Sequence, residues 1–399
     1  MDPDALLGEL DMTWANGLKV ALVHDWLNGM RGGEKVLELL CSLFPHAPVF
    51  TLFLERSKLS STLRNRDIRE SWLGRIPGFR KRYRHTLPLM PLAINSLPTA
   101  RYDLVISSSH CVAHGAPCAR GSVHVSYCHT PMRYIYDKYN DYFGQHPWSP
   151  SSLAMRLLQG TLQRWDRNAS RRVTAYMCNG VHVAQRIQHI YQREAVPVGA
   201  PVDRARFQAA RDLIRSGAVA TDSRPYFLTL SALEPYKRVD LCVEAFRRLG
   251  PSHHLKVAGS GSQLEQLRKL APPNVEFLGW VPDQDLTLLL AGASALVFPA
   301  DEDFGIVPLE AAAAGVPTLA LAAGGSLETV VEGVTGLHFI RQKPEDIAAA
   351  VLRCNDTRWN TSAMEAHAAR YDIAVVRNRM ARVIRLAYEQ QRQGLLHER

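Results

Sequence analysis

The chain has 399 residues, 46% of them hydrophobic and 21% charged, which marks a folded protein of roughly two to three domains and excludes a disordered one. Lysine plus arginine (47) exceed aspartate plus glutamate (38), for a net charge of +9. That excess suits polyanionic partners (nucleic acid, phosphorylated substrates or an anionic membrane face) and does not choose among them. Seven cysteines without a C-x-x-C pair indicate neither a zinc site nor a disulfide framework, and read as small buried hydrophobes. The start is acidic (Asp2, Asp4, Glu9, Asp11), so no secretory leader is expected. The most apolar stretches, 286–299 and 304–323, are respectively too short and interrupted by Pro308, Glu310 and Pro317, so neither reads as a membrane span.

In chain order, residues 1–16 carry no strong pattern. Short apolar runs follow at 19–23, 49–53, 104–107, 123–127 and 173–177. A second set covers 226–230, 255–258, 275–278, 295–298 and 318–321, beyond a seam in 201–224 where apolar density falls. Runs of this length, separated by helix-length segments, predict parallel strands buried on both faces. Two such sets predict an α/β protein with two doubly wound, Rossmann-like domains, whose ligands lie at the carboxyl ends of the strands. The expected division is 17–205 and 206–371. In the tail, Ile373, Val376, Met380, Val383, Ile384 and Ala387 fall on one helical face and predict a terminal helix at about 372–396 that packs back on the body.

Several strand ends carry residues suited to chemistry. After the first strand, Gly32 and Gly33 let backbone approach a ligand closely. Farther on, Arg75, Arg80, Lys81, Arg82, Arg84 and His85 are interleaved with aromatics and followed by Leu87, Leu89, Met90, Leu92 and Ile94. This segment reads as a surface for anionic lipid, as a nucleic-acid grip, or as a solvated helix. His129 follows the strand 123–127, where an imidazole serves as acid, base or hydrogen-bond partner, or plays a structural part. Lys237 and Arg238 follow the strand 226–230, where a diphosphate would sit in such a sheet; the bland alternative is a solvated basic pair. Gly259-Ser260-Gly261 lacks the third glycine of a dinucleotide fingerprint.

The most informative stretch runs from Phe298 to Pro317. A strand gives way to an acidic loop, and then to a helix beginning near Gly305–Ile306 and ending at Gly315. Its first amides suit a phosphate. Glu302 and Glu310 would bracket a ligand rich in hydroxyls and phosphates, or else are a helix-start carboxylate and a solvated residue. Asp301 and Asp303 are spaced like a metal-binding pair, a pattern common by chance.

Taken in order from about residue 19 to the tail, these segments resemble the family-4 retaining glycosyltransferases of the GT-B fold. The resemblance rests on Glu302 and Glu310 in an E-x7-E pattern, Pro235-Tyr236-Lys237 through Asp240 upstream, the opening His24-Asp25-Trp26 with Gly32-Gly33-Glu34, and Cys128-His129-Thr130-Pro131. The last two narrow it to the bacterial mannosyltransferase-like branch that builds O-antigen and exopolysaccharide. What the resemblance implies is two Rossmann-like domains facing across a cleft, the first for the acceptor and the second for a nucleotide sugar. It also implies Glu302 on the donor sugar's hydroxyls, Glu310 on the ribose and Lys237 on the diphosphate. Amides at Gly305, Ile306 and Val307 and the Gly32–Gly33 loop would assist, with His129 beside the transferred sugar. Many relatives carry Gly-Arg where this chain has Ser231-Ala232, so the phosphate clamp would draw on Arg238 or Arg133.

The implied reaction moves mannose from GDP-mannose to a lipid-linked saccharide. The expected enzyme uses no essential metal, takes no nucleic acid, and works in the cytoplasm as a peripheral protein at the inner face of the cytoplasmic membrane, with Arg80, Lys81, Arg82 and Arg84 toward membrane or acceptor. A UDP-sugar such as UDP-glucose is the alternative donor. A UDP-N-acetylglucosamine epimerase on the same fold is a competing class, and a binding protein without turnover is a third. Sequence assigns neither linkage nor oligomeric state.

Overall fold

Buried runs of Val, Leu and Ile too short for helices form parallel strands when helices cover both of their faces. The computed structural model, which describes residues 11–137, 150–219 and 224–397, contains two such sheets. The first holds β1 (Val20–His24), β2 (Val49–Thr51), β3 (Ile68–Glu70), β4 (Leu104–Ser109), β5 (Val123–Cys128), β6 (Ala175–Cys178) and β7 (Ala195–Pro197), in the order β3-β2-β1-β4-β5-β6-β7. The second holds β8 (Tyr226–Leu230), β9 (His254–Ala258), β10 (Val275–Gly279), β11 (Ala295–Phe298), β12 (Thr318–Leu321) and β13 (Gly336–Phe339), in the order β10-β9-β8-β11-β12-β13. Neighbouring strands in both run parallel, so the α/β class with two Rossmann-like domains is the observed fold.

The chain forms two compact units. One takes the residues up to Pro201 together with those from Ala374 onward, and the other runs from Val202 to Ile373. In the first unit, alternate strand residues serve opposite faces. Leu22, Ile106 and Val125 pack beneath the helix Gly32–Leu43 and beneath Val376, Met380, Ile384 and Ala387 of the helix Ile373–His397. Ala21, Val23 and Val105 point the other way, toward Phe50, Leu73 and Ile94. In the second unit, Val257, Val297 and Leu319 pack against Val243 and Phe246 of the helix Val239–Leu249 and Ile347 and Val351 of the helix Pro344–Asn355.

All ten runs named from sequence are strands here, and three further strands, β3, β7 and β13, join them. Two of the three are Ile-Arg-Glu and Ala-Val-Pro, half-exposed and too short or polar to read as apolar runs. All three lie at the edge of a sheet, where one side has no partner and polar residues are favoured. Ahead of β1, where the sequence shows no pattern, Thr13–Ala15 form a 3-10 turn and Trp14 packs 5.5 Å from Tyr388.

Candidate functional site

In an open parallel sheet, a crevice forms at the carboxyl ends where the strand order reverses. In the second unit that place is between β8 and β11, because the chain leaves β8 toward β9 and β10 and returns to β11 on the other side. The loop after β8 delivers Lys237 and the loop after β11 delivers Glu302, and Lys237 Nζ donates to Glu302 Oε1. The two side chains keep 15% and 24% of their surface, so a ligand reaches both. Lys237 Nζ also lies 5.3 Å from the Tyr236 ring centre.

Backbone geometry fixes these loops. Arg238 ends the 3-10 turn Pro235–Lys237 at φ 53, a left-handed conformation that a non-glycine side chain adopts only at a cost of about 1–3 kcal/mol. Its guanidinium pairs with Asp240 at 3.2 Å through both Nε and Nη2. Glu302 is held from behind: Gly325 N–H donates to its carbonyl at 2.8 Å. A Cβ on Gly324 would fall 2.3 Å from that same carbonyl oxygen, and one on Gly325 would fall 2.2 Å from Phe304 Cα. Gly324 and Gly325 follow β12, so three neighbouring strand ends converge on the acidic loop. The apolar pattern of the sequence does not single out this glycine pair, although its position after a strand and ahead of Ser326 is the same signal given by Gly32 and Gly33.

The helix Ile306–Ala314 begins at the expected place, with Gly305 as its N-cap at φ 79 and Gly315 as its C-cap. Amides of Ile306 and Val307 open that helix. Glu310 is buried, which overturns the bland alternative of a solvated residue. Gly259 and Gly261 have a packing reason: a Cβ on either would meet the backbone of Ser231 or Leu233 at 1.8 or 2.4 Å. The loop carrying Ser231-Ala232 therefore lies flat on the loop after β9, with Leu233 N–H donating to Ser260 O at 2.9 Å.

In the first unit the reversal falls between β1 and β4. Their last residues bring His24 and Ser108 together, with His24 Nδ1 3.1 Å from Ser108 Oγ. The same hydroxyl lies 2.8 Å from Nε2 of His129, which follows β5. His110 completes a triangle of imidazoles whose ring centres are 6.1 Å (to His24), 6.3 Å (to His129) and 6.5 Å (His24 to His129) apart. Burial first, and then neighbouring His110, pushes both His24 and His129 down to about 3, so both are uncharged at neutral pH.

Gly33 borders this cluster, since a Cβ there would lie 3.5 Å from His24 Cε1 and 3.7 Å from His129 Nε2. It belongs to the first turn of the helix Gly32–Leu43, whose Glu34 accepts the Arg31 N–H at 2.9 Å. His129 is fixed through its backbone as well: its N–H donates to Ser109 O at 2.8 Å, and Asn179 Nδ2 donates to its carbonyl at 3.2 Å.

Asp25, next to His24, is fully buried and accepts the N–H groups of His110, Cys111, Val112 and Ala113 at 2.7, 2.9, 2.6 and 2.7 Å. Its Oδ2 also lies 3.1 Å from His110 Nδ1. This carboxylate organises the whole loop after β4. Sequence names Asp25 only within the His24-Asp25-Trp26 opening, with no role, and does not name Ser108; the one signal for a role is a charged residue directly behind an apolar strand.

Other predicted residues lie elsewhere. Arg80 pairs with Glu70 at 3.0 Å at the β3 edge of the first sheet, and the side chains of Lys81, Arg82 and Arg84 lie outside the described residues. Among the described residues, no three His, Cys, Asp or Glu side chains are grouped to hold a metal, and no helix is long and apolar enough to cross a membrane.

Residues 211–369 match the family model described as glycosyl transferases group 1. The alpha-1,3/1,6-mannosyltransferase alg-2 of Neurospora crassa is 47% identical over 88 residues, 22% of this chain and 19% of that protein. The GDP-mannose-dependent alpha-(1-6)-phosphatidylinositol monomannoside mannosyltransferase of Mycobacterium tuberculosis is 36% identical over 190 residues, 43% of this chain and 49% of that protein. The chain thus spans at most about half the length of these relatives. The structure of HepE from Anabaena, solved with UDP and glucose, superposes with a TM-score of 0.66 at 17% identity, covering 92% of this chain and 98% of HepE. Residues 211–369 are thus similar to the group 1 glycosyl transferases, and the pair of Rossmann-like parallel sheets is the GT-B fold shared with HepE.

Proposed function

We propose that this chain is a retaining hexosyltransferase that moves mannose from GDP-mannose to a lipid-linked saccharide in surface-polysaccharide synthesis, working at the inner face of the cytoplasmic membrane. The observation that carries the reading is the pairing of Lys237 with Glu302 at the strand-order reversal of the unit that matches the glycosyl transferase family. The mycobacterial relative, GDP-mannose-dependent by name and 36% identical over 190 residues, supports the donor.

The chemistry follows from the groups present. An anionic diphosphate competes for Lys237, and the sugar's hydroxyls donate to the Glu302 carboxylate it releases. Amides at Gly305, Ile306 and Val307, with Arg238 next to Lys237 in sequence, stabilise charge on the leaving phosphate. Buried Glu310 sits one turn into that helix and accepts from the ribose. In the first unit, Ser108 occupies Nε2 of His129, which leaves Nδ1 as the ring nitrogen for a sugar hydroxyl beside the Gly32–Gly33 turn.

In the transfer step the acceptor oxygen bonds to the anomeric carbon on the face from which the phosphate leaves. The carbon–oxygen bond to phosphate breaks, and the departing phosphate oxygen takes the acceptor's proton. The residues supply positioning and charge, and no protein nucleophile or essential metal is invoked.

Product analysis tests the reading. Incubation of GDP-mannose with a polyprenyl-diphosphate-linked saccharide should give an α-linked product, and Glu302→Gln should lose it while still binding donor. Full transfer by that variant would remove Glu302 from its role. Conversion of UDP-N-acetylglucosamine without acceptor would establish the epimerase class instead.

A further inference from the structure

Beside the edge strand β3, away from the histidine cluster, lies a cavity of about 830 Å³ lined by Arg56, Arg69, Arg75, Arg80, Glu70 and Trp72, with Phe50, Leu54, Ile68 and Leu97 at its floor. Arginine is the residue suited to phosphate, because its planar fork presents donors in a fixed geometry. Three of the four guanidinium groups are held in place. Arg56 donates to Arg64 O at 2.6 Å. Arg69 is bonded to Asp67 at 2.7 Å and lies 5.5 Å from the Phe50 ring centre. Arg80 is tied to Glu70 at 3.0 Å and to Gly74 O at 3.3 Å, and Glu70 is itself anchored by the Leu54 N–H at 2.7 Å.

Arg75, exposed at the rim, has no ion-pair partner among the described residues. Four guanidinium groups against the carboxylates of Glu70 and Asp67 leave positive charge in excess. The lining adds apolar surface open to solvent: Trp72 stands 40% exposed. Charge and apolar surface together match neither a plain anion nor a plain hydrocarbon.

We infer that this cavity binds the phosphoryl head of an amphiphile, a mono- or diphosphate ester of a long apolar alcohol, with Arg75 as the closing cation and Trp72 against the first part of the chain. The inference deepens the proposed function and rests on it for the identification of this ligand as the acceptor's lipid end. Two strand spacings, about 10 Å, separate β3 from β1 in the sheet order. A saccharide attached to a head group held here has that distance to span to reach the carboxyl end of β1, where His24 and His129 lie.

The test is calorimetric titration of the full chain with farnesyl diphosphate, farnesol, inorganic diphosphate, and phosphatidylglycerol–phosphatidylcholine vesicles. Farnesyl diphosphate should bind at least tenfold more tightly than farnesol or inorganic diphosphate. Arg75→Gln should weaken it about tenfold, and Arg75→Lys should restore part of the loss. Arg75 is exposed, so these variants should fold, and their unchanged GDP-mannose titration would confirm that. Equal binding of inorganic diphosphate would make this a plain anion site and overturn the inference. So would vesicle binding without farnesyl diphosphate binding, or indifference to Arg75→Gln. Farnesyl diphosphate binding retained in a chain that takes no nucleotide sugar would reject the transferase reading and leave the cavity's ligand class standing.

Discussion

In the first sheet the crevice between β1 and β4 is filled by uncharged imidazoles joined through Ser108, whereas in the second the crevice between β8 and β11 is spanned by the Lys237–Glu302 ion pair. Both units reverse their strand order beside the first strand, so the backbone offers each the same kind of ligand position. What differs is what the strand ends carry. Part-exposed opposite charges are suited to exchange for the charges and hydroxyls of a ligand, while neutral imidazoles are suited to hold a geometry. Asp25 sharpens the contrast, because its carboxylate is spent on four backbone amides and the His110 ring of the loop after β4.

The comparison breaks first at its charged half. Lys237→Ala and Glu302→Gln should each reduce transfer by about 10²–10³-fold, the scale for removing a group that stabilises transition-state charge. Stability in denaturant should change little for Glu302→Gln, which remains part-exposed. A variant that lost folding rather than turnover would make this pair structural, and erase the distinction between the units.

Next in size is Asp25→Asn in the first unit. It places an amide nitrogen against backbone N–H donors, and should cost about 3 kcal/mol or more in denaturant unfolding. GDP-mannose affinity should survive at temperatures where the variant is folded. A neutral effect on stability would show that the loop after β4 holds itself.

The imidazoles predict a pH dependence. Folded His24 and His124 titrate at about 3, both through burial first, below the ordinary value of 6.5. As pH falls below 6.5 the unfolded chain takes up protons that the folded chain refuses, so their stabilising contribution is present above 6.5 and lost toward pH 3. Each contributes a slope of about 1.4 kcal/mol per pH unit well below 6.5. His124→Gln, which keeps an amide near Ser107, should remove about one such slope from unfolding curves measured between pH 6.5 and 5. His129 likewise stays neutral, so transfer should show no ionisation near pH 6.5 that disappears in His129→Gln.

The smallest effect should come from Ser108→Ala, which cuts the link between His24 and His129. A loss of about 1 kcal/mol in stability and a fall of several-fold in turnover, with unchanged donor affinity, would mark Ser108 as a positioning residue.

Much of this architecture is written locally. Continuous apolar runs are buried on both faces and announce parallel strands, and the change from Phe298 through an acidic loop to Ile306 marks a strand end and a helix start. Lys237 and Glu302 each stand out as a charged residue behind a strand. Their meeting depends on β8 lying beside β11 in the sheet, a relation across 65 positions that no local pattern carries. The link from His24 to Ser108 spans 84 positions, and Asp25 acts on backbone amides whose side chains are irrelevant to the interaction. Such partners are invisible until topology is known. Gly324 and Gly325 show the opposite case: the pattern was present, and what gives it meaning is the close approach of the Glu302–Phe304 backbone.

The most direct measurement of the central claim is calorimetric titration of wild type and Lys237→Ala with GDP-mannose, UDP-glucose and UDP-N-acetylglucosamine in the presence of EDTA. The account predicts a single site for GDP-mannose on the wild type, at least tenfold tighter than for either UDP-sugar and weakened tenfold or more by Lys237→Ala. Binding of GDP-mannose that ignores Lys237→Ala, or tighter binding of a UDP-sugar, would contradict it.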